Sequence, residues 1–432
     1  MDIAIIGSGM AGLAAARILH DAGHKVTIFE ALAGRGMDSH SIDFDGGIID
    51  APLRVMNPKL WKNTLSLASY LGIETFPVRT FMACSWLFED KTDTWLTTSR
   101  SRIGNFPIIN NRKGIQQYGW RLVKGMLQLK TAVNQFFKSE NQDITLAEFM
   151  NQYHIEEVFW HGTVMPVLYT ICTCHPKTIG EWPAKPLLEF IRQLTEGEAL
   201  LRMKGGTPAL VNRLIDGIHI FSGSPVKNVE EQGDKVLVEN GQGEKKLFDR
   251  VVIATPTPVI ENFLKQPQFA EDLALLRKFR FEEGDLVIHT DPVVMPPRRK
   301  DWAVLSYMMD RKFIRQQFTV WINAIEPSLV GKNAVFQTWC PVIDIDPKKV
   351  ISRVKLTRAV VDSETVALNK QIQQRHLEQD RKVFYCGSWS CDGLPILESA
   401  VTSAMHISEI LGAPSPFVGL KPKVKVAPEL GY

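Results

Sequence analysis

Short apolar runs alternate with a helical pattern at the start of the chain. Residues 2–6 are apolar without a helical period, which predicts a buried parallel strand. A glycine-rich turn follows, and residues 13–22 have the composition of a helix that ends at Gly23. Residues 25–29 predict a second strand, with Glu30 at its end. The first thirty residues therefore predict a strand–turn–helix–strand unit.

The hydrophobic pattern changes several times further along the chain. Residues 112–198 carry apolar side chains at helical spacing, are interrupted by prolines and are rich in aromatic residues. Residues 203–256 alternate strand and helix again, whereas residues 279–339 are mostly strand-like. A strand, a glycine turn and a helix are predicted from residue 382 to residue 411. The chain therefore leaves the first domain and returns to it.

These changes predict an α/β fold with a discontinuous, Rossmann-like first domain. A mixed α+β domain with a helical insertion completes the fold. The first domain comprises residues 1–54, 203–264 and 351–412. The second comprises residues 55–202 and 265–350, and residues 413–432 are predicted to form an irregular tail.

The first turn has the spacing of a dinucleotide-binding motif. Gly7 permits a tight turn, Gly9 admits a pyrophosphate, and Gly12 lets the helix pack closely on the strand. Met10 and Ala11 begin the helix, whose N-terminus favours phosphate. Glu30, 18 residues after Gly12, is placed to accept hydrogen bonds from a ribose. The alternative is a tight βα turn that binds no ligand.

A glycine-flanked arginine follows the acidic residue. Ala31 and Gly34 offer backbone N–H groups, and Arg35 adds a positive charge that suits a phosphate. The alternative is a solvated loop arginine.

Charge and cysteine content narrow the possible partners. The 432-residue chain has a net charge of +3, from 50 basic and 47 acidic side chains, which is too balanced for a nucleic-acid-binding protein. No apolar run approaches the roughly 20 residues of a membrane span, and a strand at residue 2 leaves no room for a signal peptide. Six scattered cysteines, including Cys172 and Cys174, are interpreted as free thiols rather than metal ligands. We therefore expect a cytoplasmic protein without a metal site.

Together, residues 7–13, Glu30, residues 34–35 and residues 386–389 resemble the flavin-containing amine oxidase and phytoene desaturase superfamily. Residues 288–307 resemble a segment of its predicted NAD/FAD-binding oxidoreductase branch. This resemblance implies that the first domain is an FAD-binding domain of the glutathione-reductase type, with FAD held in an extended form across it.

The resemblance also implies positions around the cofactor. It maps the glycine motif and Glu30 to the adenosine diphosphate, Arg35 to the pyrophosphate loop and Val226 to a backbone contact beside the adenine. It places the last glycine turn and helix near the pyrophosphate and ribityl chain. The implied cofactor-binding residues are Gly7, Gly9, Met10, Ala11, Gly12, Glu30, Ala31, Gly34, Arg35, Val226, Ala254, Gly387, Ser388 and Leu397.

This chain departs from the family pattern at two places. Ser388 stands where members commonly carry an acid, with Asp392 as a candidate replacement. Residues 394–397 read Leu-Pro-Ile-Leu where the close branch often has His-Glu-Asp-Gly, so we expect an apolar loop at the flavin. No cysteine stands where covalent attachment is predicted, so we expect non-covalent flavin.

The resemblance implies an FAD-dependent oxidoreductase that transfers hydride from its substrate to flavin N5. Dioxygen is one possible acceptor of the electrons. Members of the superfamily often place a lysine on the strand that enters the second domain, where this chain offers His289 and Asp291 as catalytic candidates. The alternative is a structural hydrogen-bonded pair at a strand end.

Substrate class follows from composition. The chain has no acidic cluster that selects an amine cation, and its helical insertion is aromatic and aliphatic. We therefore expect oxidation or desaturation of a small, apolar or unsaturated organic molecule. The alternatives are redox-neutral double-bond isomerisation, amine oxidation and a non-catalytic dinucleotide-binding scaffold.

Overall fold

The computed structural model describes residues 1–87, 94–103, 106–109, 112–195 and 199–426. The ends of the predicted helical region, at residues 196–198, and of the predicted tail, at residues 427–432, lie outside this description.

The strands of the described chain, in order, are β1 (Asp2–Ile6), β2 (Lys25–Phe29), β3 (Ile42–Phe44), β4 (Gly47–Ile49), β5 (Glu74–Val78), β6 (Met82–Trp86), β7 (Thr94–Ile103), β8 (Phe106–Ile109), β9 (Leu200–Met203), β10 (His219–Phe221), β11 (Val226–Gln232), β12 (Lys235–Asn240), β13 (Lys245–Phe248), β14 (Arg250–Ile253), β15 (Phe281–His289), β16 (Leu305–Met309), β17 (Gln316–Trp321), β18 (Phe336–Trp339), β19 (Val350–Ala359), β20 (Val383–Tyr385) and β21 (Lys423–Val424).

The α-helices are α1 (Met10–Asp21), α2 (Lys62–Tyr70), α3 (Arg112–Lys138), α4 (Leu146–Tyr153), α5 (Glu157–Phe159), α6 (Met165–Cys172), α7 (Pro176–Gly180), α8 (Ala184–Thr195), α9 (Gly206–Leu214), α10 (Thr257–Ile260), α11 (Ala270–Leu276), α12 (Thr365–His376) and α13 (Leu397–Ile410). A π-helix, Trp160–Val164, joins α5 to α6.

A parallel sheet of five strands combines strands from the beginning, the middle and the end of the chain. Its order is β10-β2-β1-β14-β20, and all four pairings are parallel. Helix α1 packs against α13, and a second apolar cluster that includes Phe248 and Phe263 covers strand residues such as Ala4 and Ile6. The order changes direction between β1 and β14, which is where ligands bind in such sheets. The predicted α/β class is confirmed.

A second, mixed sheet of eight strands belongs to the other half of the molecule. Its order is β19-β15-β18-β17-β16-β6-β7-β8, in which only the β16–β6 pairing is parallel. Apolar side chains of helices α3 to α8 pack with those of this sheet in one hydrophobic core. Within the described residues, this half therefore has the mixed α+β character that was expected of it.

Strand β19 changes one expected boundary. The hydrophobic pattern predicts that the third segment of the nucleotide-binding domain begins at residue 351, but Val350–Ala359 pairs along its length with β15 in the large sheet. The isolated pattern of residues 351–359 does not distinguish the two sheets, because pairing is decided by the distant partner strand. We propose a boundary close to residue 360.

The predicted irregular tail is partly ordered against the protein. Strand β21 pairs in parallel with β5, with Lys423 opposite Glu74. Ser66 Oγ donates a hydrogen bond of 2.7 Å to the carbonyl oxygen of Leu420, and Phe417 is fully buried. These residues of the predicted tail are therefore held against the protein by a short strand pairing, a hydrogen bond and a buried side chain. Tertiary pairing overrides a proline-rich composition here.

No helix in the described part of the chain is both long and apolar enough to cross a membrane.

A buried carboxylate connects the last strand of the parallel sheet to two helices. Asp272 of α11 accepts hydrogen bonds from Arg375 and Arg381 and, at 2.7 Å, from the hydroxyl of Tyr385. Burial alone would raise the pKa of Asp272, but these donors, Arg381 foremost, hold it below its usual value. The carboxylate is therefore charged and fully partnered.

Asp272→Asn should reduce the free energy of unfolding by about 3–5 kcal/mol, because two guanidinium groups lose their buried counter-charge. Urea denaturation of the purified protein measures this change. Glu261→Gln, which breaks an exposed pair with Arg277, is the matched control and should cost less than about 1 kcal/mol. Equal effects of the two substitutions would contradict the assignment.

Candidate active site

The carboxyl ends of four parallel strands meet at one edge of the sheet. Gly7 follows β1, Glu30 follows β2, Ala254 follows β14, and Gly387 follows β20 within two residues. Backbone hydrogen bonds align these ends: Gly7 N–H donates to Phe29 O at 2.8 Å, and Ala254 N–H donates to Ile6 O at 2.8 Å. The predicted cofactor residues from three distant segments are therefore brought to a common edge.

The glycine turn fits a pyrophosphate. A Cβ on Gly12 would lie 2.0 Å from the carbonyl oxygen of Gly7, and Gly7 has a φ of +100° that favours glycine. A Cβ on Gly9, in contrast, would have no atom within 4 Å. Helix α1 starts at Met10 without a side-chain cap at Gly9, so its first N–H groups have no partner within the helix. Open space and free donors coincide at Gly9 and Met10.

Glu30 holds the glycine turn from the neighbouring strand. Its Oε2 accepts hydrogen bonds from Ser8 N–H at 2.9 Å and Ser8 Oγ at 2.6 Å, and its Oε1 accepts one from Leu32 N–H at 2.8 Å. Ser224 N–H donates to the carbonyl oxygen of Glu30 at 2.8 Å, which brings the segment that leads to Val226 alongside. Glu30 and Val226 therefore lie where an adenosine site is expected, although Ser8 engages the carboxylate.

Arg35 has other partners. Its guanidinium contacts Asp38 and Asn212, and it does not line the cavity described below. The loop is nevertheless close to the glycine turn, because Met37 N–H donates to Ser8 O at 3.0 Å. The backbone of the loop that contains Ala31 and Gly34 therefore lies near the glycine motif. The charge of Arg35, in contrast, is directed to Asp38 and Asn212.

One cavity of about 670 Å³ extends from the glycine turn into the second half of the molecule. Its lining includes half of the implied cofactor residues: Gly9, Met10, Ala11, Ala254, Gly387, Ser388 and Leu397.

The last glycine turn and helix are held from both sides. Gly387 N–H donates to Ser403 Oγ at 3.1 Å, and Trp389 Nε1 donates to the carbonyl oxygen of Thr255 at 3.1 Å. Glu398 accepts hydrogen bonds from the backbone N–H groups of Asn63 and Thr64 at 2.8 and 2.9 Å. Helix α13 therefore caps the N-terminus of α2 while its own first turn faces the cavity at Leu397.

The far wall of the cavity is largely apolar. Helical residues Phe159, Val167 and Phe190 face it from one side, and sheet residues such as Phe318 and Trp339 face it from the other. The π-helix between α5 and α6 lies in this wall, a feature that is common at functional sites.

Polar groups in the wall are sparse. Tyr307 Oη and Thr170 Oγ1 share a hydrogen bond of 2.8 Å, and burial raises the pKa of Tyr307 well above its usual value. Among the described lining residues the charged ones are Arg54 and Arg358, and none is a carboxylate, a histidine or a lysine. Neither arginine was predicted from the sequence, since neither belongs to a motif.

His289 and Asp291 lie outside this lining. His289 is fully buried, with Nε2 2.8 Å from Thr338 Oγ1 and Nδ1 accepting from Asp291 N–H at 3.1 Å. Asp291 accepts from Asp346 N–H at 3.0 Å and from Lys349 Nζ at 3.1 Å. Burial lowers the pKa of His289 to about 4, although the Asp291 charge opposes this. The geometry supports the structural alternative rather than the catalytic prediction.

Asp392, the candidate replacement for a family acid, also faces elsewhere. Its Oδ1 accepts a hydrogen bond of 3.0 Å from Asn369 Nδ2, and it does not line the cavity. Pro395 and Ile396 do line it, so the loop at this end of the cavity is apolar, as expected.

None of the six cysteines lies in the described cavity lining. All six cysteines are free thiols, and Cys172 and Cys174 are buried. Within the described residues, no group of three or more His, Cys, Asp or Glu side chains is arranged to hold a metal ion.

The model of the family "Flavin containing amine oxidoreductase" matches residues 10–283. The chain belongs to this family. Human lysine-specific histone demethylase 2 is 25% identical over 279 residues, which are 60% of this chain and 30% of the relative. The 4,4'-diapophytoene desaturase of Staphylococcus aureus (strain bovine RF122 / ET3-1) is 40% identical over 68 residues, 16% of this chain and 14% of the relative. This flavin amine oxidoreductase thus spans less than a third of the curated relatives it matches.

Solved structures show the same fold. Cyclohexylamine oxidase from Brevibacterium oxydans IH-35A aligns with a TM-score of 0.61 at 16% identity, over 95% of this chain and 99% of that chain. An oxidoreductase from Methanosarcina mazei aligns with a TM-score of 0.65 at 12% identity, over 95% and 100% of the two chains. The chain is therefore a flavoprotein of this family, and its glycine turn has the open space that the FAD pyrophosphate needs.

Substitutions of Gly9 and Gly12 should separate effects on cofactor binding from effects on folding. Gly9→Ala adds a methyl group to open space, so the melting temperature of the apoprotein should change by no more than about 2 °C while the bound FAD per chain falls. Gly12→Ala forces a clash with Gly7 O and should lower the melting temperature of the apoprotein itself. Full FAD content in the Gly9→Ala protein would contradict a pyrophosphate at this turn.

His289→Asn tests the structural role of the histidine. The unfolded chain binds a proton near pH 6.5, whereas folded His289 binds one only near pH 4, so acidification between these values favours unfolding. The unfolding free energy of the wild type should therefore fall more steeply than that of the variant, by about 1 kcal/mol per pH unit below pH 6.

The variant should keep the pH dependence of kcat/KM, because the imidazole lies outside the cavity lining. A different result would assign His289 to catalysis: the unfolding free energies of wild type and variant would change with pH in parallel, and the variant would lose the acidic limb of its kcat/KM profile.

Proposed function

We propose that this protein oxidises or desaturates a small, largely apolar organic substrate, which binds in the cavity between the glycine turn and the helical wall. The observation that carries the proposal is the continuity of this cavity. One end is lined by Gly9, Met10 and Ala11, and the other by apolar helix and sheet residues such as Val167 and Phe318. Cofactor and substrate would therefore occupy one largely apolar space.

Under this proposal, the residues implied for the cofactor divide into three groups. The N–H groups at Met10 and Ala11 would hold the pyrophosphate, and the first turn of α13 at Leu397 would hold a polar edge of the flavin. When it is bound, FAD supplies the hydride acceptor for the reaction. Glu30 would bind the ribose after exchanging its hydrogen bond with Ser8.

The chain itself would contribute orientation and exclusion of water. Lining residues such as Phe159, Phe190 and Trp339 replace solvent around the substrate, and Tyr307 offers a hydroxyl already bonded to Thr170. Because the described lining contains no carboxylate, imidazole or amine, no such side chain there accepts a substrate proton. This favours a substrate that needs little acid–base assistance.

Amine oxidation is the second candidate, since the family includes amine oxidoreductases. The described lining offers no carboxylate to bind an ammonium group, which favours an uncharged or anionic substrate instead. Redox-neutral isomerisation in the same cavity and a purely structural role for the cofactor are the two remaining candidates.

The small-molecule partner and the cytoplasmic location belong to the same proposal. Six reduced cysteines suit a reducing compartment. Dioxygen is the proposed electron acceptor, and consumption of oxygen during turnover measures this directly.

Anaerobic mixing of the FAD-loaded protein with apolar alkenes, alcohols and matched amines tests the reaction. We expect a loss of visible flavin absorbance with at least one neutral or anionic apolar compound and an oxidised product in stoichiometric amount. Product formation without lasting absorbance loss would support isomerisation. A spectrum that no compound changes would support the scaffold.

Val167→Trp tests the position of the substrate. The indole would fill part of the cavity wall, so KM for the best apolar substrate should rise about tenfold, or about 1.4 kcal/mol, with an unchanged flavin spectrum. Val123→Trp is the matched control, because Val123 is exposed on α3. An equal KM in the two variants would place the substrate elsewhere.

A further inference from the structure

Two arginines that no motif indicated face the same apolar cavity. Arg54 lies in the loop that follows β4, and Arg358 lies on β19, far away in sequence. They are the charged residues of the lining that the structure describes. Burying a charge in apolar surroundings is costly unless the charge is paired, so their presence in this wall calls for an explanation.

Within the described chain, neither arginine is paired by a carboxylate. The Nε atoms of Arg54 and Arg358 are buried and have no hydrogen-bond partner. Among the described residues, no carboxylate lies within ion-pair distance of either guanidinium. Charged groups left unpaired in a protein interior are uncommon, because each loses its hydration without compensation.

The backbone around Arg54 holds it in place. Leu53 N–H donates a hydrogen bond of 3.0 Å to Gln337 Oε1, and the carbonyl oxygen of Arg54 accepts one of 3.1 Å from Arg202 Nη1. Residue 358 is fixed by its strand, since β19 pairs with β15 through Glu282 opposite Arg358. Both side chains therefore start from ordered backbone rather than from a mobile loop.

The two charges act on each other. Burial and, to a smaller extent, the positive charge of Arg358 together lower the pKa of Arg54 to about 10, against the opposing charge of Asp50. Burial also lowers the pKa of Arg358. Both groups are thus cationic at neutral pH and are held in an environment that disfavours two positive charges.

Nearby carboxylates are committed to other donors. Asp50 accepts from Thr207 N–H at 2.9 Å and lies 3.8 Å from Arg202, which is also paired with Glu326 at 2.5 Å. Glu282 accepts from His175 N–H at 2.9 Å and from the Thr178 hydroxyl. The positive charge that faces the cavity is therefore left for a ligand to balance.

We propose that Arg54 and Arg358 form an anion subsite that binds the carboxylate of an otherwise apolar substrate. A planar guanidinium matches the geometry of a carboxylate, and desolvated surroundings strengthen the pairing. This subsite specifies the substrate class of the proposed function. It rests on the proposed function in one respect, namely that the bound ligand is the substrate. The same two charges repel an ammonium group, which separates this chain from an oxidase of amine cations.

Binding of decanoate, decyl phosphate, 1-decanol and decylamine, measured by isothermal titration calorimetry, tests the subsite without turnover. The FAD-loaded protein should bind decanoate at least about tenfold more tightly than 1-decanol, and decylamine most weakly. Decyl phosphate distinguishes the source of the anion: tighter binding of the phosphate than of decanoate would overturn the carboxylate assignment.

Variants identify the arginines. Arg358→Gln and Arg54→Gln should each weaken decanoate at least about tenfold and leave 1-decanol within about twofold, while Arg358→Lys should retain the preference for the anion. Arg353→Gln is the matched control, because Arg353 lies on the same strand but is exposed and pairs with Asp285. This variant should bind decanoate as the wild type does.

The apoprotein separates a substrate subsite from a cofactor contact. The Gln variants should retain FAD, with a melting temperature close to that of the wild type. The proposed subsite would be overturned if the Gln variants kept the wild-type ratio of decanoate to 1-decanol affinity. It would also be overturned if the variants lost FAD while their apoproteins kept that ratio. Absence of any redox turnover with a preserved anion preference would overturn the proposed function alone.

Discussion

The close contact between Gly12 and the carbonyl oxygen of Gly7 is the constraint on which the rest of the structure depends. It allows α1 to start directly at the edge of the parallel sheet, with its first N–H groups exposed toward the cavity. The hydrogen bonds of Glu30 to Ser8 add the neighbouring strand, and pairing of β14 with β1 adds Ala254. The two later segments that supply Ala254 and Gly387 follow strands that pair in this same sheet.

A second constraint is the low polarity of the space that this edge opens into. The glycine turn and the apolar wall of helix and sheet residues line one cavity, so the same walls would desolvate a cofactor and a substrate that bind in it. Electrostatic interactions are strong in such surroundings, and a small number of charges therefore decides which ligand is accepted. Arg54 and Arg358 are the charges in the described lining, and under our proposal they select a ligand with an anionic end.

Local chemistry explains which features could be predicted from the sequence. The glycine motif and the first two strands depend on neighbouring residues, so their pattern alone indicates the cofactor class. The pairing of β19 with β15 and of β21 with β5 depends on strands far along the chain, and composition could not indicate it. His289 and Arg35 likewise each have one partner far along the chain, Thr338 and Asn212, that the local sequence does not indicate.

The arginine pair could not be predicted from the sequence for the same physical cause. Arg54 and Arg358 lie in unremarkable segments, and only the fold brings them to one wall and leaves their Nε atoms without partners. An arginine is ordinarily solvated or ion-paired, so its sequence position alone carries no functional information. Burial without a counter-charge is the signal, and it exists only in three dimensions.

A crystal structure of the protein with FAD and decanoate bound would test the central proposal most directly. We expect the cofactor pyrophosphate at Gly9 and Met10, the alkyl chain along the wall near Val167 and Phe318, and the carboxylate paired with Arg54 and Arg358. Electron density that places the pyrophosphate away from the glycine turn, or the carboxylate in solvent with both arginines still unpaired, would contradict the proposal.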